Sequence, residues 1–352
     1  MTSPMLKWVE IDLGAVRRNI RWVRRVLGPQ TGLLAVVKAD AYGHGAVRIG
    51  RLALQEGAAG LGVLTLEEAA ELREAGLKGR ILVMAPPLPA QAREAARLSV
   101  EATVDGPDLA KALSRWGGRR RVPLHVDLDY GLGRWGLPPA EAAGFLSSLS
   151  RLSGVRAAGL SAHLDYVPGK NAVEAEDKLR RFARVAEEAR IAAPGLAVHA
   201  ANSSILLDFP HRRFDLARVG NLLYGIDRTK KAKVEDPFAL KARVVSLRTV
   251  QKGRSIGYSS EYLAPRTMRV AALPVGYSDG LAMEPAERFI GFMSPFRYYG
   301  RLRGAKAFFV GRVGISHVLL DVTGVPGVRL GDVVSLPVRR TAASSRLPRV
   351  YL

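Results

Sequence analysis

The 352-residue sequence contains no cysteine. Disulfides, zinc–thiolate sites, iron–sulfur clusters and cysteine nucleophiles are excluded by that absence alone, and no metal site is expected. No apolar run approaches the roughly 18 residues that span a bilayer, so a membrane partner is not expected either. Met1–Trp8 has no long apolar segment and no small-residue cleavage site, so a secretory signal is not expected and a cytoplasmic location is the default. Basic residues never run to five in a row, and aromatics, only 7% of the chain, do not interleave with them as a stacking platform would require.

Acidic residues are also scarce, and unevenly so. Residues 1–240 hold 35 bases against 26 acids, and residues 241–352 hold 18 against 6, for a net charge of +21. Scattered bases of this kind read as an Arg-rich solvated surface, with an anionic ligand as a further contributor. A nucleic-acid-binding protein is the competing reading, and a salt-dependent DNA shift is its signature.

Up to residue 230, short β-rich runs alternate with helical patterns. Eight such runs stand out: 33–39, 60–65, 81–86, 101–106, 123–129, 157–163, 196–202 and 214–220. Between them Leu13, Val16, Ile20, Val23 and Leu27 recur at helical spacing, and residues 172–192 form the longest helical candidate. Thr65 with Glu68 reads as a capping box, and Gly76 falls where that helix stops. Eight strands alternating with helices predict an α/β fold, a (β/α)8 TIM-like barrel over 1–230. The open doubly wound sheet is the alternative, but its glycine-rich turn after the first strand is missing. After a linker-like stretch at 226–240, strand-like runs without long helices predict a mainly β C-terminal domain over 231–352.

In such a barrel the chemistry lies at the carboxyl ends of the strands. The first run ends at Lys38, followed by Asp40, Tyr42 and His44. The fifth leads into Asp129 and then Arg134, the sixth ends at His163, the seventh at Asn202 and Ser203, and the eighth at Arg218 and Gly220. A lone histidine or lysine at a strand end is ordinarily structural or solvated. Five polar strand ends on one face are a different matter, and two arginines with a lysine predict an anionic ligand. Burial of Lys38 behind an apolar stem disfavours its ammonium form, and a lysine so placed forms an imine with an aldehyde. The aldehyde cofactor that suits a phosphate site after strands 7 and 8 is pyridoxal 5'-phosphate. Ser203 and the amides around Gly220 are the candidate phosphate contacts.

These residues carry a resemblance. VVKADAYGHG (36–45) is similar to the cofactor-attachment motif of the alanine racemase family. Similar segments follow in the family's order: EIDLGAVRRNI, DYGLGRWG (129–136), HAANSS (199–204), RVGNLLYG (218–225), SIGYSSEY (255–262), LPVGYSDG (273–280), GRVGISHVLLD (311–321) and RLPRVYL. The resemblance implies a pyridoxal-phosphate-dependent amino-acid racemase, most simply for alanine, built as a barrel plus β domain and paired as a homodimer with shared sites. It implies that Lys38 holds the cofactor and serves as one base, and that Tyr258 serves as the other from the partner subunit. By the same resemblance Arg134 contacts the cofactor's phenolic oxygen and Arg218 faces the pyridine nitrogen. His163 links Arg218 to Tyr258. Tyr42, Ser203 and Gly220 contact the phosphate beside Asn202 and Asn221. Tyr277 lines the substrate entrance, and the amide of Ile315 meets the substrate carboxylate, to which Arg134 is also a contact. Two bases suit the chemistry, because a proton leaves one face of Cα and returns on the other.

The sequence departs from the family pattern in several places. Asp127 stands where many members have a carbamylated lysine, and it is expected to supply a carboxylate to Arg134 directly. Gly314, Ile315 and Ser316 replace a Cys-Met-Asp run, which opens a broader, serine or basic amino-acid racemase as an alternative. Ser345 replaces a phosphate-contacting tyrosine in a shortened C-terminal stretch, and Leu132 replaces a methionine with little change of volume. A non-catalytic cofactor carrier is a further alternative, but the second domain with Tyr258 argues against it. A decarboxylase of related fold would need an active-site cysteine.

Overall fold

The computed structural model describes residues 5–281, 298–338, 343 and 345–352. It falls into two compact units, Gly14–Asp236 and Met1–Leu13 with Pro237–Leu352. Strand β1 (Lys7–Ile11) opens the chain. The larger unit then holds β2 (Gly32–Val36), β3 (Gly60–Val63), β4 (Ile81–Val83), β5 (Glu101–Val104), β6 (Val122–Leu128), β7 (Val155–Ala162), β8 (Ala197–His199) and β9 (Leu216–Val219). Five fall within the runs predicted above, and β2, β6 and β7 begin one or two residues before theirs. They pair in parallel in the order β8-β7-β6-β5-β4-β3-β2-β9. Backbone bonds from Asp215 N to Val198 O (3.0 Å) and Arg218 N to Ala201 O (2.9 Å) bring the two ends together, giving a near-closed barrel.

The helices between these strands follow from the apolar spacing. The helix Leu13–Leu27 buries Val16, Ile20, Val23 and Leu27 on one stripe, each contributing about 1.5–3 kcal/mol of transfer free energy. The Thr65 hydroxyl accepts from Glu68 N, and the Glu68 carboxylate accepts from Thr65 N, so the capping box starts the helix Leu66–Glu74. Gly76, at φ 77°, follows its end. The 21-residue helix Ala172–Ala192 is the longest described.

The smaller unit holds β10 (Phe238–Arg243), β11 (Ser246–Val250), β12 (Met268–Leu273), β13 (Tyr299–Leu302), β14 (Ala305–Phe309), β15 (Val318–Asp321), β16 (Val333–Leu336) and β17 (Arg349–Tyr351). Its nine-stranded sheet runs β11-β12-β15-β14-β13-β16-β10-β1-β17. The N-terminal segment differs from the expected boundaries, which place it with the barrel. β1 pairs antiparallel with β10 and parallel with β17. Its alternation buries Val9 and Ile11 in the same core as Leu240, Leu273, Leu320 and Val334. Nothing within residues 1–13 signals these partners, because both lie more than 200 residues away.

Candidate active site

Lys38 leaves the carboxyl end of β2 and enters a left-handed turn. Ala39, Asp40, Ala41 and Tyr42 all have positive φ, between 51° and 57°. Four consecutive non-glycine residues in this conformation cost about 1–2 kcal/mol each. The turn is held by many bonds: Glu68 Oε1 accepts from Ala39 N (2.7 Å), Asp40 Oδ1 accepts from Ala46 N (2.7 Å), and Val37 O accepts from Ala41 N (2.8 Å). His44 belongs to this frame, its Nδ1 lying 2.9 Å from Ala41 O. The Tyr42 ring stacks on Tyr224 at 4.8 Å, and the Tyr224 hydroxyl donates to Val36 O. Burial pushes the Tyr42 phenol pKa up, with Arg228 opposing, so the group is a neutral donor. Burial, then Arg134, lowers the Lys38 pKa against an opposing pull from Glu68.

Lys38, Tyr42, Arg134, His163, Asn202, Ser203, Arg218, Gly220 and Asn221 all line one cavity of about 580 Å³ at these strand ends. Tyr258, Tyr277 and Ile315 belong to the other unit. The Asn202 side-chain oxygen accepts from Ser204 N and Ile205 N, so it caps the short helix Ser203–Asp208. At residue 220 a Cβ would lie 2.7 Å from Tyr42 Oη, so only glycine lets backbone and phenol meet here.

Arg218 is the most braced member. Its Nη1 donates to His199 Nδ1 and His199 O (both 2.6 Å), and its Nη2 donates to Ala162 O (2.7 Å), with His163 Nδ1 at 3.4 Å. Its Nε–H meets no acceptor among the described residues. Burial lowers its pKa to about 10, with Asp127 opposing, so the guanidinium stays charged at neutral pH. His163 is pushed down to about 3 by burial and then by Arg218, Arg134 and Lys38, so its imidazole is neutral.

Behind Arg218 lies a buried column that the sequence reading missed. His199 Nε2 is 2.7 Å from His125 Nδ1, His125 Nε2 is 2.8 Å from Glu101 Oε2, and Arg80 Nε donates to Glu101 Oε1 at 2.9 Å. Arginine has no acceptor, so His199 Nδ1 must accept; Nε2 of each neutral ring then donates onward, ending at the carboxylate. Burial would raise the Glu101 pKa, but His125 and Arg80 outweigh it and hold it below the usual range. Glu101 starts β5, His125 is mid-β6 and His199 ends β8, so the column runs along the barrel interior. Gly159 of β7 makes it possible, since a Cβ there would overlap the His125 ring. The available signal was a charged or imidazole side chain inside strands that should read as uniformly apolar.

One expectation is overturned. Asp127 does not pair with Arg134: its Oδ1 accepts from the Ser161 hydroxyl. Among the described residues Arg134 has no ion pair within 4.0 Å, and its guanidinium lies 3.7 Å from the Trp135 ring centroid. Burial raises the Asp127 pKa, so a direct hydroxyl donor serves it where a distant guanidinium would not.

In the β unit, Tyr277 N donates to Gly314 O (3.2 Å), and Ile315 O accepts from Ser278 N (3.1 Å) and Ser278 Oγ (2.7 Å). The Ile315 N–H meets no acceptor among the described residues. Asp279 is a turn former: it accepts from Gly276 N and pairs with Lys7 at 2.9 Å. Ser345 is exposed, and residues 339–342 and 344 of the shortened stretch lie outside the described residues.

A lysine held toward neutrality, ringed by fixed cations at the carboxyl end of a parallel barrel, defines a barrel enzyme suited to an anionic aldehyde cofactor. Residues 11–228 match the alanine racemase N-terminal domain and residues 238–347 the alanine racemase C-terminal domain. The chain therefore belongs to the alanine racemase family. It is 33% identical to the alanine racemase of Desulforamulus reducens, over 98% of both chains. Among solved structures it is similar to the alanine racemase of the D-cycloserine-producing Streptomyces lavendulae, with a TM-score of 0.88, 28% identity, and coverage of 100% of this chain and 98% of that one. It is also similar to the alanine racemase of Bacillus anthracis solved with bound L-Ala-P, with a TM-score of 0.86, 26% identity, and coverage of 100% and 96%.

Proposed function

We propose that the protein is a pyridoxal 5'-phosphate-dependent racemase that interconverts L-alanine and D-alanine, acting in the cytoplasm as a homodimer with Lys38 and Tyr258 as its two bases. The observation that carries this reading is the cavity in which eight other expected residues surround the Lys38 amine, itself held toward neutrality. The relatives, alanine racemases along nearly the whole chain, support alanine and give no support to serine, a basic amino acid or a carrier role.

The residues fit the cofactor. Tyr42, Ser203 and the Gly220 backbone form a cradle that a Cβ at residue 220 would fill, and Arg218 offers an unspent Nε–H. When bound, the cofactor supplies a conjugated ring that delocalises the electron pair left when the substrate's α-proton departs. Tyr42, a neutral phenol, would donate to the phosphate. Arg218, held by His199 and Ala162, would face the ring nitrogen. Because the guanidinium keeps its own proton, it would not protonate that nitrogen. Lys38, its ammonium form disfavoured by burial and Arg134, takes or returns the α-proton on one face. Tyr258 Oη does so on the other, from the partner subunit. Supporting a partner, Tyr258 and Ile315 are 59% and 61% exposed on the β unit, with Leu263 exposed as well. No helix among the described residues is long and apolar enough to cross a membrane.

The test is to incubate the purified protein with each common amino acid in heavy water and read chirality and deuterium content together. Racemisation and α-exchange confined to alanine is the expected result. Exchange without inversion, or a different preferred amino acid, would overturn the reading.

A further inference from the structure

Gly257, at φ 82°, brings Tyr258 against a second loop: a Cβ on it would lie 3.2 Å from Arg312 N and 3.4 Å from Gly311 Cα. From the other side, a Cβ on Gly311 would lie 2.5 Å from Ile256 O. Two glycine backbones therefore abut at 256–257 and 311–312. Beyond this contact Tyr258 opens a short turn in which Ser259 and Ser260 both have positive φ, 62° and 51°. The second loop then closes on itself, with Gly314 N donating to His317 O at 2.9 Å. Its frame is fixed by the bonds from Tyr277 and Ser278 to the carbonyls of Gly314 and Ile315.

This frame carries the His317 imidazole onto the Tyr258 ring, with centroids 5.3 Å apart and planes tilted by 58°. It is the only ring contact of Tyr258 among the described residues, and the phenol makes no hydrogen bond there. Residue 314 decides whether the imidazole fits. A Cβ on Gly314 would overlap the ring, lying 2.6 Å from its Nδ1. Glycine at 314 and histidine at 317 are thus one packing arrangement: the first leaves the space and the second fills it against the tyrosine.

We propose that His317 is a positioning residue for Tyr258 and that Gly314 supplies the room it needs. The inference rests on the reading of Tyr258 as one of two bases. An exposed tyrosine on a strained turn has rotameric freedom, and a proton-transfer partner displaced by about 1 Å loses on the order of 10²-fold in rate. A ring wedged between the fixed loop and the phenol removes that freedom on one side.

The experiment measures α-deuteron washout from L-alanine and from D-alanine separately, at initial rates, with the full-length holoenzyme. His317→Ala and Gly314→Ala should each slow exchange from one enantiomer by about tenfold, the enantiomer served by Tyr258, and leave the Lys38 side within twofold. The double variant should be no slower than the worse single one, because both act by removing the same contact. Equal slowing on both sides, an additive loss, or no slowing would overturn the proposal. Tyr258→Phe is the control. If it leaves both exchanges intact, the two-base reading fails; if it gives the one-sided loss and His317→Ala does not, only the role of His317 fails. A readout independent of turnover comes from ring-proton NMR of the six histidines. The resonance lost in His317→Ala should move in Tyr258→Ala and in Gly314→Ala, and a resonance that stays put means the rings do not touch. His317→Gln, with a planar polar side chain, should recover part of the loss and covers the case in which the alanine variant folds poorly.

Discussion

Lys38 and Arg218 sit in a framework completed within one chain, whereas Tyr258 stands largely exposed on a turn with a single aromatic neighbour among the described residues. In the barrel, a left-handed turn fixed by Glu68 and Asp40 aims Lys38, and a line of buried His199, His125 and Glu101, ending at half-buried Arg80, holds Arg218. In the β unit, two abutting loops present Tyr258 to solvent. The comparison teaches that proton affinity and proton delivery are built differently. The cationic, desolvated half must be rigid in the folded subunit, since displacement of a buried charge is costly. In the proposed dimer the phenol is left to be enclosed by the partner subunit.

Substitutions can break or sharpen that contrast. Lys38→Ala has the largest expected effect: racemisation falls by about 10⁴-fold, and the purified protein no longer holds a visible chromophore. Retention of colour and turnover would remove Lys38 from both roles. Tyr258→Phe should cost about 10²–10⁴-fold in racemisation, yet change urea-unfolding stability by less than about 0.5 kcal/mol, because the hydroxyl is exposed. A large stability loss would show that the loop is braced as the barrel is. Glu101→Ala should do the reverse in proportion, lowering stability by about 1–3 kcal/mol by orphaning the donors of His125 and Arg80 and lowering activity only through Arg218. Chemical denaturation beside a racemisation assay separates these cases.

The smallest expected effect is with pH. His163 is held near 3 when folded, while an unfolded histidine titrates near 6.5. Below 6.5 the unfolded chain binds the proton first, so the stability contribution is complete above that value and is lost as pH falls toward 3. Glu101, with its pKa held down in the fold, adds to the loss in the same direction as the solution turns acidic. Thermal midpoints should therefore drop between pH 7 and 4.5, and His163→Phe should flatten the drop. A midpoint that rises on acidification contradicts the neutral, buried imidazole.

Most of the barrel was legible because each strand is a short apolar run bounded by helical spacing, as at 60–65 and 81–86. The cavity residues were legible because they stand at strand ends, where polarity interrupts the apolar pattern. β1 was not, since its register depends on strands that follow more than 200 residues later. Nor was the column of Glu101, His125 and His199: each looks like an isolated polar residue, and only the missing side chain of Gly159 brings two of the rings together. Asp127 was misjudged because its nearest partner, Ser161, comes from the neighbouring strand rather than from its own loop.

The pairing of β1 with both β10 and β17 has a consequence for how the polypeptide is made. During translation the barrel segment is complete and able to close while the first strand still waits for partners the ribosome has not yet produced. Its parallel neighbour, β17, is made after its antiparallel one, β10. β1 therefore gains its full set of sheet bonds only once the chain has been made as far as Tyr351.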